Sequence, residues 1–196
     1  SANMRQLVHS KITDEFLDKV TKKVKALKVG DPLDPSSNMG SMISKKHLST
    51  VDGFIQKGMD EGAKLLLGGV SEKNQKGFYA KPTLFDNLDE NMTIAQEEIF
   101  GPVLGILTFS DEEEALKIAS NSKYGLCASV FTQDINKAFY FAKNLPCGTV
   151  SVNTFSEGDI KTPFGGYKQS GSLSRDQGTE ALNQYLQTKT IWISHS

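Results

Sequence analysis

The sequence predicts an α/β fold, a parallel sheet flanked by helices, with one further strand at the C-terminus. Three observations carry this. From residue 103 onward, short apolar runs alternate with amphipathic helical stretches. The links between them are short, the pattern of strand–helix–strand units with right-handed crossovers. The last residues, "TKTIWIS", form a β-prone run with no following segment to pair with.

Taken in order, Thr13 is placed to cap a helix whose apolar residues Phe16, Leu17, Val20, Val24 and Leu27 recur at helical spacing. Gly30 and the Pro32 and Pro35 pair stop it. Ser44 caps a second helix with Leu48, Val51, Ile55 and Met59 on one face, closed by Gly62. "KLLLGG" reads as a short strand and "SEKNQKG" as a surface turn. In "FYAKPTLF", Pro82 confines any strand to an edge or to a break in the pairing. "VLGILTF" is a strand, and Ser110 to Glu113 is a capping box opening a helix through Ala115, Leu116, Ile118 and Ala119. "LCASVFT" is the next strand. Asp134 caps a helix carrying Ala138, Phe141, Ala142 and Leu145, and "GTVSVN" is a third strand. A helix over about residues 175–186 and a terminal strand over about 188–194 complete the reading.

Composition bounds the function. A chain of 196 residues, 38% hydrophobic and 23% charged, suits one sizeable globular domain. The net charge of -1 comes with lysines spread through the helical stretches, which argues against a nucleic-acid partner. The acidic run "SDEEEAL" suits the positive end of a helix dipole. Cys127 and Cys147 sit in apolar segments without metal-ligand spacing, so they read as buried, inert thiols in a reducing compartment. His9, His47 and His195 lie far apart, and no metal site is expected. Nothing resembles a signal peptide or a membrane span, so a cytoplasmic protein without membrane association is expected.

Three features carry possible chemistry. In parallel α/β sheets, ligands bind beyond the carboxyl ends of the strands, which points to the loop after "GTVSVN". That loop, "TFSEGDIKTPFGGYKQSGS", is long and holds Phe155, Glu157, Asp159 and Phe164. It either lines a pocket or merely covers the sheet. Its Gly165-Gly166 pair permits close backbone approach, although an ordinary turn is the simpler reading. The adjacent acids Glu97 and Glu98 in "QEEIFGPV" either bind sugar hydroxyls or form an exposed pair, the commoner case. Neither the glycine fingerprint of dinucleotide folds nor a P-loop is present, and no feature supplies an activated nucleophile.

Together, "GDPLDPSSNMGSMIS", "GFYAKPTLFDNL", "EEIFGPVLGILTF", "YGLCASVFT", "GTVSVN" and "PFGGYKQSG" resemble the C-terminal half of the aldehyde dehydrogenase superfamily, in the same order and over essentially the whole chain. "EGDIKTPFGGYKQSG" and "TKTIWIS" look most like its γ-glutamyl-γ-aminobutyraldehyde dehydrogenase branch. The resemblance implies NAD or NADP as cofactor and a small-molecule aldehyde as substrate. A cysteine thiolate attacks the carbonyl, and a thioester is then hydrolysed to the acid. It implies that Glu98 hydrogen-bonds the nicotinamide ribose and that Phe100 packs near the nicotinamide. Phe164 would line the aldehyde tunnel. Phe155, Glu157 and Asp159 fall in the family's variable substrate-anchoring loop, where the two acids suit an aminated or polar substrate.

The resemblance also implies what stands elsewhere. The family nucleophile lies in a Gly-Gln-x-Cys stretch shortly before a segment resembling "NMRQLVHSKITDEFLDKV". The sequence opens at Ser1-Ala2-Asn3, at or just after that position. Neither Cys127 nor Cys147 matches the nucleophile. The general-base glutamate, the oxyanion asparagine and the cofactor domain are likewise expected upstream, so the isolated chain is expected to be inactive. "SGSLSRDQG" departs from the family, which follows Ser-Gly more directly with Gly-Arg and an acid. Residues 1–187 are expected to form the incomplete catalytic domain and 188–196 an oligomerisation strand and tail of a homodimer or homotetramer. A non-enzymatic assembly module and a coenzyme-A-acylating semialdehyde dehydrogenase are the rival readings. Deleting residues after Gln187 is expected to shift the assembly toward monomer in sedimentation; an unchanged profile counts against a bridging strand.

Overall fold

The computed structural model describes residues 4–72, 76–155, 158–171 and 174–195, so part of the expected turn "SEKNQKG" lies outside the described residues. The chain divides into two compact units, residues 2–121 and 122–196.

The first unit contains β1 (Arg5–His9), a 3₁₀ turn (Ser10–Ile12), α1 (Thr13–Lys25), α2 (Lys45–Asp60), β2 (Lys64–Leu67), β3 (Thr83–Asp86), the single turn α3 (Thr93–Gln96), β4 (Val103–Phe109) and α4 (Glu112–Ser120). Its four-stranded sheet has the order β1-β4-β3-β2. β1 and β3 run parallel to β4, and β2 runs antiparallel to β3. Alternation along the strands sends successive side chains to opposite faces. On one face Leu84 and Ile106 pack with Val8, and Phe16, Leu17 and Val20 of α1 cover them. On the other, Phe85 and Leu107 pack with Val51 and Ile55 of α2 and Ile118 of α4. Val51, Ile55, Leu84, Phe85 and Ile106 are 0% exposed, and each contributes about 1.5–3 kcal/mol by leaving water.

Several expectations are corrected here. β4 pairs on one side with β1, a strand absent from the sequence reading, and on the other with β3. Of the two readings of Pro82, the edge is excluded: β3 is an interior strand, and Pro82 stands just before Thr83, outside the ladder. Thr13 does not cap α1. Its hydroxyl donates to the His9 carbonyl at 3.2 Å, closing the 3₁₀ turn, and α1 stops at Lys25, short of Leu27. The capping box of α4 runs one residue later than expected. Asp111 accepts from the Glu114 N–H at 2.9 Å, while the Glu114 carboxylate accepts from the Ser110 N–H and hydroxyl. Those bonds from Ser110 hold the Glu114 carboxyl below its ordinary pKa. Ser44 caps α2 as expected, accepting from the His47 N–H at 3.1 Å. α2 ends in a reciprocal pair, Gly62 N–H to Met59 and Ala63 N–H to Gly58.

The second unit contains β5 (Tyr124–Gly125), β6 (Cys127–Val130), α5 (Ile135–Asn144), β7 (Thr149–Val152), β8 (Tyr167–Lys168) and a 3₁₀ helix (Thr179–Tyr185). β6 and β7 pair in parallel, joined through α5, and β5 pairs antiparallel with β8. Asp134 caps α5 as expected, accepting from the Asn136 N–H at 2.8 Å and more weakly from Lys137. Among the described residues of this unit, the buried apolar side chains are Ala138 and Leu145. Cys127 and Cys147 are half-buried and not fully buried as expected. Burial, with the neighbouring Cys127 second, raises the Cys147 thiol above its ordinary pKa. The helix expected over 175–186 is reduced to the 3₁₀ helix, because Leu182, Tyr185 and Leu186 are exposed and no apolar stripe is packed. Residues 188–195 form no strand pairing among the described residues, and Ile191, Trp192 and Ile193 are exposed.

Candidate functional site

In the first unit, the site is built at the entry to β4. α3 ends as the Glu97 N–H donates to the Thr93 carbonyl at 2.9 Å, and the chain turns extended at Glu97. Ile99 is buried in the core beside Val103, and its N–H donates to the Met4 sulfur at 3.2 Å. Phe100 adopts left-handed backbone, φ 54°, with its ring 70% exposed. A bulky side chain there carries a strain of about 1–3 kcal/mol, held by its surroundings. Gly101 then passes over α2 so closely that a Cβ would stand 2.7 Å and 2.8 Å from the two Val51 methyls. The Pro102 carbonyl accepts from the Thr83 N–H at 2.8 Å, after which β4 begins.

The two acids are thereby distinguished. Glu98 is exposed and its carboxylate makes no hydrogen bond among the described residues. Glu97 is partly buried and engaged within the chain. Glu98 and Phe100 flank the anchored Ile99, so both project from a fixed ledge. The ledge offers an anionic acceptor pair beside an exposed aromatic face, a combination suited to a sugar hydroxyl and a planar ring.

β1 carries the residues nearest the start of the sequence. Its first residue, Arg5, donates through Nη2 to the Ala119 carbonyl at 3.0 Å and through Nη1 to Ile118 and Asn121 at 3.3 Å and 3.2 Å. The guanidinium thus closes the C-terminal end of α4, where a cation is favoured by the dipole. Burial lowers its pKa, and the charge of Glu90 opposes that shift. Met4 extends the anchorage, its carbonyl accepting from the Gly105 N–H at 3.3 Å. Sequence reasoning missed Met4, Arg5 and Gly101. Only the Phe-Gly-Pro succession hinted at the special backbone.

In the second unit, the loop after β7 places Phe155 and Asp159 on the surface and Phe164 half-buried. Glu157 lies outside the described residues. Asp159 is committed to its own turn, one carboxylate oxygen accepting from the Lys161 N–H at 2.8 Å. Its carbonyl accepts from the Thr162 N–H and hydroxyl. Phe164 forms an isolated antiparallel bridge with Asp176. Glu98 and Phe100 therefore belong to the first unit, and Phe155, Asp159 and Phe164 to the second. The turn in "SGSLSRDQG" includes residues 172–173, outside the described residues.

The sequence matches the model of the Aldehyde dehydrogenase family over residues 1–191. The chain belongs to the aldehyde dehydrogenase family. Among curated members, it is 45% identical over 193 residues to the cytosolic 10-formyltetrahydrofolate dehydrogenase of Xenopus tropicalis, covering 97% of this chain and 21% of that protein. It is 42% identical over 194 residues to 4-trimethylaminobutyraldehyde dehydrogenase A of Danio rerio, covering 96% and 38%. A solved mutant of the indole-3-acetaldehyde dehydrogenase AldA of P. syringae, in complex with NAD+ and IAA, superposes with TM-score 0.92 at 43% identity. That likeness covers 99% of this chain and 39% of the other. The aldehyde dehydrogenase of Mycobacterium tuberculosis complexed with NAD+ gives TM-score 0.89 at 42% identity, covering 94% and 38%. The chain thus spans about two-fifths of the length of most of these relatives and a fifth of the longest.

The passage of Gly101 over Val51 gives a direct test of what holds this aldehyde dehydrogenase ledge. Gly101→Ala is expected to destabilise the chain by about 1–3 kcal/mol through overpacking, measured by urea unfolding. Far-UV circular dichroism is the probe, since the sole tryptophan, Trp192, is 93% exposed and blind to the core. Combined with Val51→Ala, the loss is expected to fall below the sum of the single losses. Strict additivity would mean that the two groups do not press on each other.

Proposed function

We propose that this chain is the C-terminal part of the catalytic portion of an NAD(P)-dependent aldehyde dehydrogenase, oxidising an aldehyde to a carboxylic acid. The observation that carries it is the Ile99-anchored ledge, which holds the exposed Glu98, without a hydrogen bond among the described residues, and the exposed Phe100. These residues fit a nicotinamide riboside: Glu98 would accept hydrogen bonds from the ribose hydroxyls, and Phe100 would pack beside the base. When bound, NAD or NADP supplies the acceptor for the aldehyde's hydride. Glu98 orients, and Phe100 keeps water from that side of the ring. Glu97 has no part in it. The complexes of related aldehyde dehydrogenases with NAD+ support the assignment.

Phe164 and Phe155 offer apolar surface to the aldehyde, and Asp159 retains an oxygen for a polar or aminated substrate. The relative named for trimethylaminobutyraldehyde supports a nitrogen-bearing substrate class, within which we place the γ-glutamyl-γ-aminobutyraldehyde-like reading. Residues 1–187 act as the catalytic portion, with the nucleophile supplied from a preceding segment. Residues 188–196, with exposed Ile191, Trp192 and Ile193, act as the strand through which copies assemble. Cys127 and Cys147, half-buried thiols outside any disulfide, suit a reducing, cytoplasmic setting.

Glu98→Gln in the complete enzyme is expected to raise KM for NAD roughly tenfold or more, as loss of a hydrogen bond to a charged group does. KM for the aldehyde is expected to stay unchanged. Steady-state kinetics with each substrate varied in turn decides it, and an unmoved KM for NAD would remove Glu98 from the cofactor site.

A further inference from the structure

The described part of the substrate-facing loop is held at two points by one downstream segment. Phe164 and Asp176 exchange both backbone hydrogen bonds, each at 2.7 Å. The Gly178 N–H donates to the Ile160 carbonyl at 2.9 Å. Next to the Ile160 point the loop closes on itself through Asp159 and Thr162. Ile160 and Phe164 therefore have little backbone freedom apart from segment 176–178.

Segment 176–178 has a fixed shape of its own. Gln177 is left-handed, φ 62°, and Gly178 lies at φ 57°, ψ -170°, a region open in practice only to glycine. A Cβ on Gly178 would also stand 3.0 Å from the Lys161 carbonyl oxygen and 3.2 Å from the Pro163 nitrogen. Behind the bridge stands Gln184 of the 3₁₀ helix. Its Nε2 donates to the Arg175 carbonyl at 2.7 Å and to Asp176 Oδ1 at 2.8 Å. A side-chain amide nitrogen has two protons, and both are used. Arg175 continues the brace, its guanidinium lying 5.5 Å from the ring centre of Tyr167 in β8.

We propose that Asp176 and Gln184 are positioning residues that hold Phe164 in place and so set which aldehydes the enzyme accepts. The inference rests on the assignment of Phe164 to the aldehyde passage under the function proposed above. Neither residue touches the reacting atoms. Gln184 fixes the Arg175–Asp176 peptide, Asp176 fixes the Phe164 backbone, and the Phe164 ring shapes the passage. A loosened brace widens the range of positions open to the ring. Selectivity among aldehydes of different size then falls, while cofactor binding in the first unit is untouched.

Gln184→Glu tests this at constant shape, because a carboxylate has no proton to donate and repels Asp176. In the 196-residue chain, amide exchange at Phe164 is expected to accelerate by roughly tenfold, the scale of one or two lost hydrogen bonds. Exchange across β4 is expected to stay unchanged. Adding Asp176→Asn restores one bond in the reverse direction and is expected to recover part of the protection. In the complete enzyme, Gln184→Glu is expected to reduce the ratio of kcat/KM values between a preferred and a poorly used aldehyde several-fold. KM for NAD is expected to be unmoved, and the double variant to recover part of the ratio. Gln184→Leu serves as a second probe should the glutamate variant fold poorly. Unchanged exchange at Phe164, or an equal fall in kcat/KM for every aldehyde, overturns the inference alone. A wild-type complete enzyme without aldehyde turnover overturns it together with the function on which it rests.

Discussion

The short passage from Ile99 to Val103 is the constraint on which the rest of the site depends. Both end residues are buried in the same core, so the chain between them must cross the face of α2 within a few residues. Val51 leaves room there for backbone and no side chain, which demands Gly101. With Ile99 held inward and Gly101 pressed on α2, Phe100 is forced into left-handed backbone and outward. Glu98 is exposed for the same reason, by alternation about a buried neighbour. Packing energy from the core thus holds a locally strained conformation at the surface.

The same anchorage reaches the beginning of the described chain. Met4 offers its sulfur to the Ile99 N–H and its carbonyl to β4, while Arg5 binds the end of α4. Met4 and Arg5 are therefore tied to the segment that carries the proposed cofactor ledge. A reaction in which a thiolate and a nicotinamide must meet one carbon needs such a common frame. The second unit uses a different device. With few buried apolar side chains among its described residues, it fixes Phe164 by backbone bridging and by the Gln184 amide.

Local signals made much of the architecture legible in the sequence. Ser44 and Asp134 were readable as caps because each directly precedes an amphipathic stretch, and β4 because its apolar run is continuous. The α4 box slipped by one residue because Ser110 and Asp111 are both capping types, followed by Glu113 and Glu114 in turn. β1 escaped notice since "RQLVH" is half polar. It is a strand because β4 and the Arg5 contacts hold it there. Sheet order was not legible, for pairing is decided by tertiary packing and not by succession along the chain. The stretch 175–186 shows apolar residues at helical spacing, yet Leu182 and Tyr185 are exposed. At the site, residue types pointed to Glu98 and Phe100 only through resemblance. Their distinction from Glu97 needed the burial of Ile99.

The proposed function has this chain hold the cofactor-orienting and aldehyde-facing side chains and take its nucleophile from a preceding segment. Separate production of the two segments and their mixing, with NADH formation from aldehyde and NAD as the readout, tests it most directly. The account predicts no turnover from the 196-residue chain alone and turnover on mixing with the nucleophile-bearing segment. Turnover by the chain alone, or activity of the nucleophile-bearing segment undiminished in its absence, would contradict it.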